Sequence, residues 1–122
     1  MAGKSHAKKP ELKPRLRVLH GPDIAIGPGK MELLAQLAET RSLNEAARRL
    51  DMSYMRAWTL MNTMNKCFRK PVAVARRGGK TGGGMQMTDT GRQALELYQR
   101  MEQSCLQAVQ PDWRALQKLL RG

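Results

Sequence analysis

Ser42 to Phe68 reads SLNEAARRLDMSYMRAWTLMNTMNKCF. Ser42 precedes Glu45 at the spacing of a capping box, which predicts a helix starting at Leu43. Leu43, Ala46, Ala47 and Leu50 then share one helical face. The adjacent alanines allow a second helix to cross closely, as a helix-turn-helix requires. Asp51 falls where the chain must turn sharply. Glycine is usual there, but the short polar side chain of Asp tolerates left-handed backbone. Met52 is expected to plug the turn, and Ser53 is the next N-cap candidate, for a helix running to about Phe68. Ala57, Leu60, Met61, Met64 and Phe68 form an inward stripe on that helix. Met55, Arg56, Thr59, Asn62 and Lys66 lie on its other faces, with Tyr54 and Trp58 at the boundary.

A helix pair of this kind docks the first turn of its second helix in the major groove of duplex DNA. Ser53, Tyr54, Met55, Arg56 and Thr59 are therefore the candidate contacts. An arginine fork pairs well with guanine, and Met55 suits a thymine methyl. The plain alternative is a helical hairpin inside some other small domain. Charge separates the two readings. From Met52 to Thr88 there is no acidic residue, while Arg56, Lys66, Arg69, Lys70, Arg76, Arg77 and Lys80 are basic. A solvated surface mixes signs, whereas a face built for phosphates does not.

After Phe68, Arg69-Lys70-Pro71 stops the helix. Val72 to Ala75 and Met85 to Met87 predict two short strands around Arg76-Arg77-Gly78-Gly79-Lys80-Thr81-Gly82-Gly83-Gly84, a hairpin with a glycine-rich tip, or wing. A Walker loop needs its Lys-Ser/Thr after the glycines and directly before a helix. Here Lys80-Thr81 lies between glycines and a strand follows, so no phosphate cofactor is expected. Glycines let main-chain amides approach a DNA backbone, and Arg76, Arg77, Lys80 and Thr81 complete the candidate interface. The alternative is a merely flexible loop.

Before the helix pair, Arg15 to His20 alternates, with Leu16, Val18 and His20 on one side. Gly21-Pro22-Asp23 and then Ile24 and Ile26 suggest a hairpin that covers the core. Pro28-Gly29 is expected to break the chain before a helix from about Lys30 to Thr40, with Met31, Leu33, Leu34, Leu37 and Ala38 apolar. Thr88 and Asp89 predict a capped helix to about Val109. Its seam is Ala94, Leu95, Tyr98, Met101, Cys105 and Ala108, with one face for its own domain and another for a second copy. Pro111 then breaks the chain before a short amphipathic end carrying Trp113, Leu116, Leu119 and Leu120.

The 122 residues suit one domain with tails, and a net charge of +12 points to a polyanion. Five aromatic residues make stacking on splayed single strands a weak idea. No apolar run is long enough to span a bilayer, and MAGKSHAKKPELKP has no apolar core to serve as a secretory signal. A cytoplasmic protein with no membrane partner is expected. Residues 1–14 read as a flexible basic tail, either merely solvated or adding phosphate contacts. Cys67 and Cys105 are expected to be buried thiols. With His6 and His20 isolated, no metal site is expected. No carboxylate pair, nucleophile-base set or ligand cluster suggests an enzyme.

The segment from about Lys30 to Glu102 resembles the N-terminal DNA-binding domain of ModE-type molybdate-responsive regulators, which share the winged-helix head of LysR-type regulators. The resemblance rests on SLNEAARRLDMSYMRAW, the pair Met64-Asn65, and RRGGKTGGGMQMTDTGR. It implies a winged helix-turn-helix, a dimer made through the terminal helices, and duplex DNA as partner. The family often carries molybdate-binding domains after the long helix. With the sequence ending at Gly122, those domains are expected to be absent and molybdate is not expected to bind this chain. No small-molecule effector is read from the residues.

The expectation is therefore a mainly α fold with a small β-wing: a winged helix-turn-helix over 15–88, followed over 89–122 by a long dimerisation helix and a short terminal helix. The expected function is a homodimeric, sequence-specific regulator that binds double-stranded DNA, with recognition helix 53–68 and wing 76–84. Its competitors are a nonspecific or architectural nucleic-acid binder and a protein-interaction winged helix.

Overall fold

The computed structural model of the chain describes residues 9–76 and 84–121. Its central helix pair is started by two serines. Ser42 Oγ accepts the Glu45 amide at 3.1 Å and opens α2, Leu43–Arg49. Ser53 Oγ accepts the Arg56 amide at 3.1 Å and opens α3, Tyr54–Cys67. Each cap satisfies an amide with no partner inside its helix, worth about 1 kcal/mol. The capping box on α2 is only half made. The Glu45 carboxylate turns to Arg48, and the Ser42 amide is offered Thr40 Oγ1 at 3.3 Å instead.

Asp51 makes the turn between α2 and α3 with φ 58°, the left-handed backbone expected of it. Arg41 adopts the same φ where α1, Pro28–Thr40, ends, and its amide donates to Leu37 O. Helix α1 starts earlier than the sequence suggested. Pro28 sits in its first turn rather than before it, where the missing N–H costs no helical hydrogen bond. Leu33, Leu34 and Leu37 of α1 are fully buried against Leu43, Ala46 and Ala47 of α2 and Ala57, Met61 and Met64 of α3. Each buried leucine contributes about 1.5–3 kcal/mol. Met52, Leu60 and Phe68 pack on this core partly buried, whereas Ala38 is exposed.

The strands β1, Val18–His20, and β2, Asp23–Ile26, form the expected hairpin, with Val18 opposite Ile26 and His20 opposite Asp23. Gly21 has φ 61° at the first central turn position. Pro22 cannot take positive φ, so this is the glycine-first turn suited to two-residue hairpin loops. The buried residue is Ala25; Ile24 is 40% exposed and His20 is exposed. The irregular register between Val18 and Leu19 breaks the simple alternation assumed from sequence. Lys30 Nζ donates to Ile24 O and fastens the hairpin to α1.

From Glu11 to Arg17 the chain alternates. Leu12, Pro14 and Leu16 are half-buried, and Leu12, Pro14 and Leu16 border an apolar hollow with Cys105, Leu106 and Val109. The described end of the expected tail is thus laid on the long helix from Leu12 onward. Tyr98 OH donates to Leu16 O at 2.9 Å, and burial of Tyr98 raises its phenol pKa.

β3, Ala73–Ala75, pairs antiparallel with β4, Met85–Met87, as predicted for the wing. Thr88 then caps α4, Asp89–Ala108, and Val109 separates it from α5, Gln110–Gln117. Pro111 does not stop a helix; it sits in the first turn of the next one. The expected α4 seam divides. Ala94 and Tyr98 are buried and Leu95 is half-buried, while Met101 and Ala108 are exposed. Cys67 and Cys105 are free, half-buried thiols rather than fully buried ones. No helix among the described residues is long and apolar enough to cross a membrane. The order of elements is that of a winged helix-turn-helix followed by a long helix.

Candidate nucleic-acid interface

Helical periodicity gives α3 two unlike sides. Ala57, Met61 and Met64 are buried in the core, so the opposite side carries Met55, Thr59, Asn62 and Lys66, all exposed. Ser53 and Arg56 are exposed at the start of the helix. Tyr54, Met55 and Trp58 are 42%, 65% and 44% exposed. Trp58, left at the boundary by sequence, therefore faces out. Asn62 continues the outer side one turn beyond Thr59, and its amide suits adenine. It belongs with the candidate contacts, although the first-turn rule favoured residues nearer the cap.

The first turn of α3 contains no acidic residue, while Glu45 and Asp89 occupy the first turns of α2 and α4. A helix start carries partial positive charge and free amides. On α2 and α4 that charge is partly offset from within the chain; on α3, as on α1, no acidic side chain in the first turn offsets it.

Several cations are answered from within the chain. Arg49 pairs with Glu39 at 2.7 Å, Arg48 with Glu45, and Arg92 with Asp89 at 3.2 Å and Glu96 at 3.5 Å. The hydrogen bond from Arg48 lowers the Glu45 pKa, and the pairing raises that of Arg48. Among the described residues, Arg56, Arg69, Lys70 and Arg76 have no carboxylate within 4.0 Å. Lys66 differs: Asp23 Oδ2 lies 3.6 Å from its Nζ. A sequence run without acids is not a surface without acids, because the β1–β2 hairpin packs on α3 and brings Asp23 with it.

The base of the wing is bound to α3 through Asn65. Its Oδ1 accepts from Val72 N at 2.7 Å and Ala73 N at 3.4 Å, and its Nδ2 donates to Ala73 O at 3.0 Å. From the other side, Thr88 Oγ1 donates to Pro71 O at 2.6 Å and accepts from Gly91 N at 3.1 Å, while Thr88 N donates to Val72 O at 2.9 Å. A β-carbon on Gly91 would overlap Val72 O and come within 2.8 Å of Met87 Cγ. The pair Met64-Asn65 and the spacing of Thr88 and Gly91 thus have a physical account that pattern alone did not supply: a core side chain, a clamp, a cap and a close approach.

At the top of the described strands Arg76 N donates to Gly84 O at 2.6 Å. The Arg76 guanidinium lies over Gly84, where an added β-carbon would stand 3.1 Å from Nε. The other wing candidates, Arg77, Lys80 and Thr81, lie outside the described residues. Among the described residues no cluster of His, Cys, Asp and Glu could hold a metal ion.

No family model matches the chain. It is similar to several curated proteins. It is 36% identical over 78 residues to the "Molybdenum transport protein ModE" of Azotobacter vinelandii, covering 64% of this chain and 29% of that protein. It is 34% identical over 79 residues to the "Transcriptional regulator ModE" of Haemophilus influenzae, covering 65% and 31%. It is 32% identical over 76 residues to the "DNA-binding transcriptional dual regulator ModE" of Escherichia coli, covering 62% and 29%. The chain spans about 30% of the length of these relatives, and the similarity is consistent with their N-terminal DNA-binding region.

Proposed function

We propose that the chain is a sequence-specific, duplex-DNA-binding transcription regulator that acts in the cytoplasm as a homodimer. The observation that carries this reading is the outer side of α3: exposed, free of acid at its start, and flanked by cations without carboxylate partners among the described residues. In the proposed complex the first turns of α3 enter the major groove. Arg56 pairs with guanine, Met55 meets a thymine methyl, and Ser53, Tyr54 and Thr59 reach phosphates or base edges. The wing over 76–84, with Arg76, Arg77, Lys80 and Thr81, follows the backbone. The names of the relatives support DNA as the partner and regulation as the role.

The proposed division is a winged helix-turn-helix over 15–88 and a dimerisation unit over 89–122. Exposed apolar side chains support the latter. Leu97 is 51% and Met101 45% exposed on α4, Leu116 is 49% exposed on α5, and Leu119 and Leu120 beyond it are 81% and 43% exposed. A second copy covering them places two recognition helices on successive half-sites. No molybdate site, cofactor or catalytic step enters this reading.

A nonspecific binder is the second reading, favoured by the net charge of +12. Selection from a random duplex library at fixed salt decides between them. The proposal expects enrichment of one sequence as paired half-sites, preferred over random duplex by at least about a thousandfold. Equal binding of selected and random duplex supports the second reading, and no salt-sensitive DNA affinity at all points to a protein-interaction module.

A further inference from the structure

The segment Pro71-Val72-Ala73 joins three parts of the molecule: the recognition helix, the wing and the long helix. Its backbone is fully engaged. Pro71 O accepts from Thr88 Oγ1, Val72 N and Ala73 N donate to Asn65 Oδ1, Val72 O accepts from Thr88 N, and Ala73 O accepts from Asn65 Nδ2. The Val72 side chain is fully buried, and Gly91 leaves no room between α4 and Val72. A backbone held this way from two sides couples α3 to α4 and narrows the angles open to them, alongside the packing of α1 on both helices. Side chains of α3 and of the α4 cap thus fasten the start of the wing to both helices.

We propose that Asn65 and Thr88 are positioning residues that set which spacing of DNA half-sites the protein accepts. The inference rests on the homodimer reading above. If α4 carries the contact between copies and α3 carries the contact with bases, the strut between them fixes the separation of the two recognition helices. Asn65 and Thr88 touch no base. They act through Val72, narrowing the range of α3–α4 angles that the packing of α1 leaves open. A loosened strut leaves each half-site contact intact and widens the set of tolerated spacings.

The test uses the full chain and duplexes carrying the selected half-sites at their preferred separation or moved apart by about three base pairs, with a single half-site as reference. The wild type is expected to prefer its own separation by at least about tenfold. Thr88→Val, which removes the hydroxyl, should reduce that preference to about threefold or less with single half-site affinity little changed. Thr88→Ser, which keeps the hydroxyl, should restore it. Asn65→Ala should act as Thr88→Val does; if it does not fold, the threonine pair alone decides. Folded Thr88→Val with an unchanged spacing preference overturns the inference, and so does a wild type that binds single half-sites specifically without any spacing preference. A wild type without sequence preference at all removes the function on which the inference rests, a failure visible on the single half-site before any variant is made.

Discussion

The outer sides of α2 and α3 belong to the same helix pair and meet the same solvent, yet they are built differently. On α2, Glu45 holds Arg48, and Arg49 reaches Glu39, so each cation there is answered from within the chain. On α3 the first turn has no acid, Arg56 has no carboxylate partner among the described residues, and Tyr54, Met55 and Trp58 stand in water. A self-paired surface gains little from a charged ligand, because binding must first break its pairs. An unanswered surface gains the whole interaction. The difference supports the proposal that α3 faces a polyanion, in a chain whose overall charge alone would not choose between the two helices.

The two helices should differ most at Arg56 of α3 and Arg48 of α2. Arg56→Ala should weaken binding to the selected duplex by about 1–3 kcal/mol, roughly 5–150-fold, and relax the preference at one base position, with no loss of thermal stability. Unchanged affinity and preference would remove α3 from the groove. Next, Lys70→Ala should weaken binding to all sequences alike and lower the slope of log affinity against log salt by about 1 if it neutralises a phosphate. A change confined to one sequence would mean it reads a base.

Tyr98 tests whether the scaffold behind α3 behaves independently of that face. Tyr98→Phe should cost about 0.5–1.5 kcal/mol of stability through the lost bond to Leu16 O, measured by denaturant unfolding, and leave DNA preference alone. Burial raises the phenol pKa in the folded state above its ordinary 10.0. The wild type should therefore keep this stability below about pH 10 and lose it as pH climbs through the raised value, while the phenylalanine variant shows a smaller alkaline loss.

The smallest effect belongs to α2. Arg48→Ala should leave stability nearly unchanged, because the pair is solvent-screened, and should not change DNA affinity at all. Its pair with Glu45 should fade in acid. The Glu45 pKa is lowered in the fold, so its contribution is present above the ordinary 4.5 and is lost as pH falls through the depressed value. A clear loss of DNA affinity in Arg48→Ala would erase the contrast between the two helices.

What was legible in sequence was local. Ser42, Ser53 and Thr88 announce helix starts because cap and capped amide lie within one turn. Asp51 announces left-handed backbone because the turn leaves few residue types able to adopt it. Periodicity separated Ala57, Met61 and Met64 from the outer side of α3 for the same reason. What depends on packing between distant segments was not legible. Asp23 reaches Lys66 across the hairpin, Leu16 accepts from Tyr98 across most of the chain, and Asn65 looks like one more polar residue on a helix until β3 is laid beside it. Ala25 rather than Ile24 is buried, in a hairpin whose register is irregular between Val18 and Leu19, while Ile26 packs partly buried on the core. Ser53, Tyr54, Met55, Arg56 and Thr59 are exposed, as expected of positions on or near the outer side of the first two turns, although exposure assigns a base to none of them.

The most direct test is a methylation-protection footprint on the selected duplex, since the reagent marks guanine N7 in the major groove and adenine N3 in the minor groove. The account predicts guanine protection in two patches centred about 10 base pairs apart, with protection at one guanine per half-site lost in Arg56→Ala. Protection confined to adenine N3, or guanine protection that Arg56→Ala leaves unchanged, would contradict it.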